Sequence, residues 1–384
     1  MKKFKLNTEV LYGINSLESL KNIKGKRAYI VTDELMVQIG NVAKITHLLD
    51  DINVDWYLFD KVVPDPTLDL VKKGIFEIVN FKPDVIIALG GGSSIDTAKG
   101  ILYLYIKALE KIESENNIEK PLFIAIPTTS GTGSEVTSYS VLTDKKEGVK
   151  IPIVSDKMVP DIAIIDCNFT KTVPPSVTAD TGLDVLTHAI EAYVAKGSSD
   201  YTDIYAEKAI KYVFSYLLRA YNDGKDMEAR EKMHNASCMA GIAFNNAGLG
   251  INHSLAHALG AKFHIPHGRA NAVLLPYVIE YNSGLREKLQ LEIGRRYMEV
   301  SKFLGFPHSS IAEGVLSLIE GIKILKEKMN VPASLSEIGI KREDFNQAID
   351  EIVEKAMNDY CTPSNPRDVN KEDLRKILEK AYGN

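Results

Sequence analysis

The chain has 384 residues, 45% of them hydrophobic and 25% charged, with a net charge of −5. That length suggests two domains. The composition excludes disorder, and the acidic balance disfavours nucleic acid or an anionic membrane as partner. Cys167, Cys238 and Cys361 are odd in number and show no C-x-x-C spacing, so they read as reduced thiols of a cytoplasmic protein. The start, Met1-Lys2-Lys3-Phe4-Lys5-Leu6, carries charge without a following apolar core, so no signal peptide is expected. No apolar run approaches the ~18 residues needed to cross a bilayer.

In chain order, short apolar or β-branched runs predict strands at Arg27–Thr32, Val54–Phe59, Asp84–Leu89 and Phe123–Ile126. Helical periodicity predicts helices over Leu68–Phe81 and Asp96–Ala108. Lys150–Val154 and Asp161–Ile165 read as two further strands. Strands of continuous apolar character alternating with helices indicate a parallel sheet covered on both faces. After Asp166 the character changes. Pro174-Pro175 punctuates the junction, and from Ser176 onward only helical patterns follow, as in Tyr205–Ala220 and Ile311–Met329. The expectation is an α/β Rossmann-like domain over residues 1–172 and an all-α domain over 173–384.

Two loops in the first half have the chemistry of a nucleotide site. Gly90-Gly91-Gly92-Ser93-Ser94-Ile95-Asp96 joins a strand to a helix. Glycines admit a phosphate close to the backbone, and a helix N-terminus offers free N–H groups. The run differs from G-x-G-x-x-G, and a tight turn with a serine cap is the plain alternative. Pro127-Thr128-Thr129-Ser130-Gly131-Thr132-Gly133-Ser134-Glu135 also follows a strand and is rich in hydroxyls and glycine. Two such loops at the carboxyl edge of one sheet favour a ligand over two surface turns. Asp33 ends the first predicted strand. It can bind the adenosine ribose and repel a 2′-phosphate, favouring NAD, or it can cap the next helix.

The second half concentrates histidine. His253, His257, His264 and His267 account for four of the eight in the chain. Upstream lies Asp184-Val-Leu-Thr-His188. Residues four apart share a helix face, so Asp184 with His188, and His253 with His257, can aim at one ion. Several imidazoles and a carboxylate suit a borderline divalent metal. The plain alternative is surface histidine on helices.

Four motifs, in order, carry a resemblance: Gly90–Asp96, Pro127–Glu135, Thr181-Gly-Leu-Asp-Val-Leu-Thr-His-Ala-Ile-Glu-Ala-Tyr193 and His253–Gly268. Together they resemble the iron-containing (group III) alcohol dehydrogenases, with the likeness running from Tyr12-Gly13 to Asn365-Pro366-Arg367. Within the family the chain is most similar to propanol and ethanol dehydrogenases of microcompartment-linked metabolism. The resemblance implies a dinucleotide-binding α/β domain, a helical metal-binding domain and an NAD-dependent, iron-dependent enzyme acting on short primary alcohols and aldehydes. It assigns the metal, iron(II) with zinc as an alternative, to Asp184, His188, His253 and His267. It places His257 beside the metal as a proton relay and gives His264 no ligand role. It carries cofactor contacts to Asp33, Gly91, Gly92, Ser93, Asp96, Thr128, Thr132, Ser134 and Lys150, and a substrate-pocket wall to Phe244, with Tyr139 as its expected neighbour. It implies a homodimer or larger homo-oligomer in the cytoplasm, with microcompartment association. The rival readings are glycerol dehydrogenase-like polyol oxidation and a lyase of the dehydroquinate synthase type. A phosphate-bearing substrate would want a cationic cluster near the metal, and only Lys262 and Arg269 are evident.

Overall fold

The eight strands are β1 (Glu9–Tyr12), β2 (Arg27–Asp33), β3 (Asp55–Val62), β4 (Val85–Gly90), β5 (Leu122–Pro127), β6 (Tyr139–Asp144), β7 (Val149–Val154) and β8 (Ile162–Ile165) in a computed structural model that describes residues 3–112, 120–144 and 149–383. Six form one sheet in the order β1-β8-β5-β4-β2-β3, and every pairing in it is parallel. Its strands are apolar on both sides because both sides are covered. Tyr29, Val31, Ile86, Ala88, Phe123 and Ala125 pack on one face. Their alternating neighbours Ala28, Ile30, Val85, Ile87, Leu89, Ile124 and Ile126 pack on the other. The covering helices are α1 (Glu34–Gln38), α2 (Asn41–Asp51), α3 (Leu68–Phe81) and α4 (Gly92–Ile112).

The chain leaves β2 for β3 on one side and then returns to β4 on the other. The carboxyl ends of β2 and β4 therefore border a switch point, where open α/β sheets bind ligands. Asp33 ends β2 and Gly90 ends β4. Two strands were not expected. β1 is a four-residue edge strand, too short to show a pattern. β6 is half polar, and it pairs antiparallel with β7 in a separate two-stranded sheet. The run over Lys150–Val154 is thus a strand, but of this hairpin and not of the main sheet.

The rest of the chain is helical: α5 (Pro175–Val194), α6 (Asp200–Asn222), α7 (Met227–Ala247), α8 (Ile251–Phe263), α9 (His267–Ser283), α10 (Leu291–Leu304), α11 (Ile311–Lys328), α12 (Arg342–Met357) and α13 (Lys371–Tyr382). Among the described residues no strand lies beyond Ile165, and no helix is long and apolar enough to cross a membrane. The α/β and all-α architecture is the one read from the sequence pattern. The chain divides into two units, Lys5–Thr172 and Val173–Asn384, the second joined by Met1–Phe4. Phe4 earns that placement by stacking on Tyr201 and Tyr205 of α6. Within the helical unit α5 is buried from Gly182 to Val194. Pro175 opens it at a position where a missing N–H costs nothing.

Candidate functional site

The buried helix α5 carries Asp184 and His188 one turn apart. α8 carries His253, and His267 is the first residue of α9. The two helices are joined by a sharp turn in which His264 takes the left-handed conformation, φ 55°, and closes α8 through its backbone N–H to Gly260. That makes His264 a helix terminator. Gly268 then brings α9 onto α5: a Cβ there would lie 2.1 Å from the Asp180 carbonyl oxygen. Only glycine permits that approach, and it is what delivers His267 to Asp184.

One ligating atom from each of Asp184, His188, His253 and His267 lies within 4.8 Å of the others. Asp184 Oδ1 stands 3.8 Å from His253 Nε2 and 3.6 Å from His267 Nε2, and Asp184 Oδ2 is 3.9 Å from His188 Nδ1. An ion about 2.1 Å from each ligand sets separations of roughly 3–4 Å, so the spacing fits a divalent metal. Asn271, one turn along α9 from His267, marks the same point. Its Nδ2 donates to Asp184 Oδ1 at 2.7 Å and lies 3.2 and 3.1 Å from His253 Nε2 and His267 Nε2. Its Oδ1 accepts from Asn252 Nδ2 at 2.9 Å, which fixes the amide's direction. Three acceptors thus converge on one donor, an arrangement a cation also satisfies.

The electrostatics agree. Burial pushes the Asp184 carboxyl up to about 7, against the Asn271 hydrogen bond, with the Asp180 charge adding to the rise. Burial, with His188, His267 and His257 alongside, holds the His253 imidazole well below its ordinary value. A buried carboxylate beside the buried His253 imidazole, whose uncharged form burial favours, suits a positive ion.

A second carboxylate supports this group. Glu191 is on the same face of α5, seven residues past Asp184, and is 4% exposed. One oxygen accepts from Asn252 N at 2.8 Å, capping the start of α8, and the other meets His253 Nδ1 in a very short contact. Burial drives its carboxyl up to about 8, against the donated backbone hydrogen bonds. The proton between Glu191 and His253 Nδ1 leaves Nε2 to face Asp184. His257 falls outside the four-residue group and pairs through Nδ1 with Asp359 at 2.9 Å. Phe244 stacks on the His188 ring at 4.6 Å. Arg269 is bidentate to Asp180 at 3.1 and 3.0 Å, and Lys262 pairs with Glu351, so both cations are engaged.

The other predicted residues lie in the α/β unit. Gly90 takes φ 144°, and a Cβ there would meet Ser94 Oγ at 2.4 Å and Asp33 Oδ2 at 3.6 Å. Asp33 therefore lies beside the glycine loop, while its Oδ1 caps α1 by accepting from Met36 N at 3.1 Å. Both readings of Asp33 are compatible with this geometry. α4 begins at Gly92, four residues earlier than the periodicity suggested, so its open N–H groups belong to the loop. The two small-residue loops touch: a Cβ on Gly92 would be 2.8 Å from Thr132 Cγ2, and Thr128 N donates to Gly90 O.

Asp33, Gly91, Gly92, Ser93 and Thr129 line one groove of about 950 Å³. Asp96 and Ser134 are engaged with each other, Ser134 Oγ donating to Asp96 Oδ1 at 2.7 Å, and Val141 N donates to Asp96 Oδ2. Beneath them the buried Lys99 donates to Ser134 Oγ, Thr137 Oγ1 and the Tyr139 carbonyl. Tyr139 is in β6 of this unit. The side chain of Lys150 lies outside the described residues. Glu191, Asn271, Asp359 and Lys99 were missed by sequence reasoning. The available signals were the i+7 spacing of Glu191 from Asp184 and the i+4 spacing of Asn271 from His267.

Comparison with known proteins agrees with this geometry. The family model described as "Iron-containing alcohol dehydrogenase" matches residues 7–167, and that described as "Fe-containing alcohol dehydrogenase family, C-terminal" matches residues 178–382. The chain belongs to the iron-containing alcohol dehydrogenase family. It is 44% identical to the NADPH-dependent butanol dehydrogenase of Clostridium saccharobutylicum, covering 100% of this chain and 98% of that one. It is 39% identical to the 1-propanol dehydrogenase PduQ of Salmonella typhimurium, covering 99% and 100%. The iron-containing alcohol dehydrogenase of Thermococcus thioreducens superposes with a TM-score of 0.90 at 35% identity, with both chains fully covered. The protein is an oxidoreductase that interconverts alcohols and aldehydes.

Proposed function

We propose that the chain is an iron(II)-dependent, NAD(H)-preferring dehydrogenase of short primary alcohols, acting chiefly as an aldehyde reductase near neutral pH. The convergence of Asp184, His188, His253 and His267 within 4.8 Å carries the proposal. A divalent ion held there supplies Lewis acidity, which lowers an alcohol's pKa and polarises an aldehyde carbonyl. The absence of a thiolate from the set suits iron(II), with zinc the closest substitute. His257 is the proton relay. Phe244, stacked on His188, is an uncharged wall beside the metal residues. With Arg269 and Lys262 engaged by carboxylates, an apolar alcohol fits better than a phosphate-bearing substrate.

In the α/β unit, Gly91, Gly92 and Ser93 would meet the pyrophosphate through the start of α4. Thr128 and Thr132 would meet it from the adjoining loop, while Asp96 and Ser134 hold that loop's shape. The groove is lined by Asp33, Glu34, Asp60 and Asp69 against Lys61 and Lys73, an acidic balance that disfavours a 2′-phosphate. One relative is named as NADPH-dependent, so cofactor choice needs direct measurement. Cytoplasmic location, microcompartment association and a homo-oligomeric state belong to this proposal on the strength of the resemblance. The test is kcat/KM of iron-reconstituted protein with both cofactors, for ethanol, propanol, butanol, 1,2-propanediol, glycerol and the matching aldehydes. Propanal or butanal with NADH should lead. A strong preference for glycerol would move the protein to the polyol reading.

A further inference from the structure

His257 makes three contacts. Its ring stacks on His267, with centroids 5.2 Å apart and planes 13° apart, and on Tyr360, at 5.6 Å and 27°. Stacking restrains the ring plane but allows the ring to flip within it. The third contact decides which nitrogen faces which way: Nδ1 lies 2.9 Å from Asp359 Oδ2. The other carboxylate oxygen, Oδ1, accepts from Cys361 N at 2.9 Å and from Ser254 Oγ at 3.2 Å. Ser254 in turn accepts from Thr362 Oγ1 at 2.8 Å. The turn after α12 is thus tied to α8 around one carboxylate, whose side chain is 13% exposed. Burial pushes the Asp359 carboxyl up, but the His257 and Cys361 hydrogen bonds reverse this and hold it below its ordinary value.

Resting on the reading of His257 as the relay, we infer that Asp359 is a positioning residue that holds His257 with its proton on Nδ1 and its lone pair on Nε2. A carboxylate only accepts, so Nδ1 must donate. A neutral imidazole has one acceptor, which is then Nε2. In alcohol oxidation a bound nicotinamide would accept the hydride, which leaves the hydroxyl proton for the protein to remove. Nε2 takes it, and the imidazolium passes it on to water while Asp359 stays ionised. In aldehyde reduction the same proton runs back.

The geometry makes a sharp test available. In Asp359→Asn, the backbone N–H of Cys361 is a fixed donor and will hold the amide oxygen. The amide nitrogen is then turned toward His257 Nδ1 and donates to it, moving the imidazole proton to Nε2. The experiment uses the full chain loaded with zinc, which is diamagnetic, with histidine labelled in the ring with ¹⁵N. NMR at alkaline pH reads which nitrogen of His257 carries the proton, and steady-state rates are measured alongside. Wild type should show Nδ1–H and Asp359→Asn should show Nε2–H, with kcat reduced on the order of 100-fold and aldehyde KM changed far less. Ser254→Ala removes a contact to Oδ1 alone and should leave Nδ1–H in place. As a second variant, Asp359→Ala should regain rate with added formate and not with formamide. Nδ1–H persisting in Asp359→Asn, or equal effects of formate and formamide, would overturn the inference. Undiminished turnover in His257→Ala would instead overturn the relay reading, leaving the tautomer result to stand on its own.

Discussion

The two units build their sites from opposite materials. In the α/β unit the loop wall of the groove is main chain and small side chains: Gly91, Gly92 and Ser93 at the open start of α4, with Thr129 beside them. In the helical unit the site is side chain throughout, with Asp184 3%, His188 5% and His253 1% exposed. A backbone site is indifferent to most substitutions and intolerant of volume. A side-chain site in a low-dielectric pocket depends on every donor and acceptor, because each is costly to leave unmatched.

The strongest way to break the comparison is at His267. His267→Ala removes one proposed ligand from a pocket whose helices stay packed, so bound metal should fall by roughly tenfold or more and turnover should drop to background. NADH affinity should be unchanged. Elemental analysis showing full metal occupancy in the variant would remove His267 from the ligand set. Glu191→Gln comes next. It keeps the shape but replaces the carboxyl group that shares a proton with His253 Nδ1, so metal affinity should fall ~10–100-fold. Metal titration giving wild-type affinity would reduce Glu191 to a cap for α8.

The converse substitution is Gly92→Val. Its side chain would push into Thr132, which a Cβ already approaches to 2.8 Å. Cofactor affinity should weaken on the order of tenfold, worth ~1.4 kcal/mol, while metal content stays whole. Equal loss of metal would show that the two sites are not independently built. Asp33→Gly is smaller in effect. It gives up only a few tenths of a kcal/mol of capping, because glycine is itself an acceptable N-cap. The ratio of kcat/KM for NADH to NADPH should move toward NADPH on the order of tenfold. A wild-type protein that already prefers NADPH would leave Asp33 with the capping role alone.

The difference between the sites also explains what could be read in advance. α3 was legible at both ends because its apolar positions recur with helical period, and the structure adds a side-chain cap from Thr67 at its start. α4 was read as starting at Asp96, since Gly92-Ser93-Ser94 has loop composition; the local glycine signal concealed the helix start that makes the loop useful. The pairs Asp184/His188 and His253/His257 were visible through their i,i+4 spacing. The choice of His267 over His257 and His264 came from the family resemblance and not from spacing; the local features that go with it, the left-handed turn at His264 and the contact of Gly268 with Asp180, have no periodic signature. Glu191 looks like any glutamate on a helix until α8 arrives above it. Asp359 reaches His257 across 102 residues, a distance no local pattern spans.

The smallest effect expected on either site supplies the control that the comparison needs. Lys326, on α11 in the helical unit, is 3% exposed. Burial brings its ammonium down from 10.5 to about 8, partly offset by Glu337. At pH 7 it is charged in both states, so the full penalty is present, at most on the order of 3 kcal/mol. Between pH ~8 and ~10.5 the folded chain has released this proton and the unfolded chain has not. Stability from this group therefore rises as pH climbs through that window. Lys326→Met should raise stability at pH 7 by about 1–3 kcal/mol and flatten the rise above pH 8, as read by thermal melts across pH. Metal content should not change, which separates the sensitivity of the histidine site from that of the helical unit as a whole. A variant that is less stable at pH 7, or that keeps the wild-type slope above pH 8, would show that Lys326 is not a buried charge held at a cost. Loss of metal in Lys326→Met would show that general loosening of the unit, and not ligand chemistry, accounts for part of the His267→Ala effect.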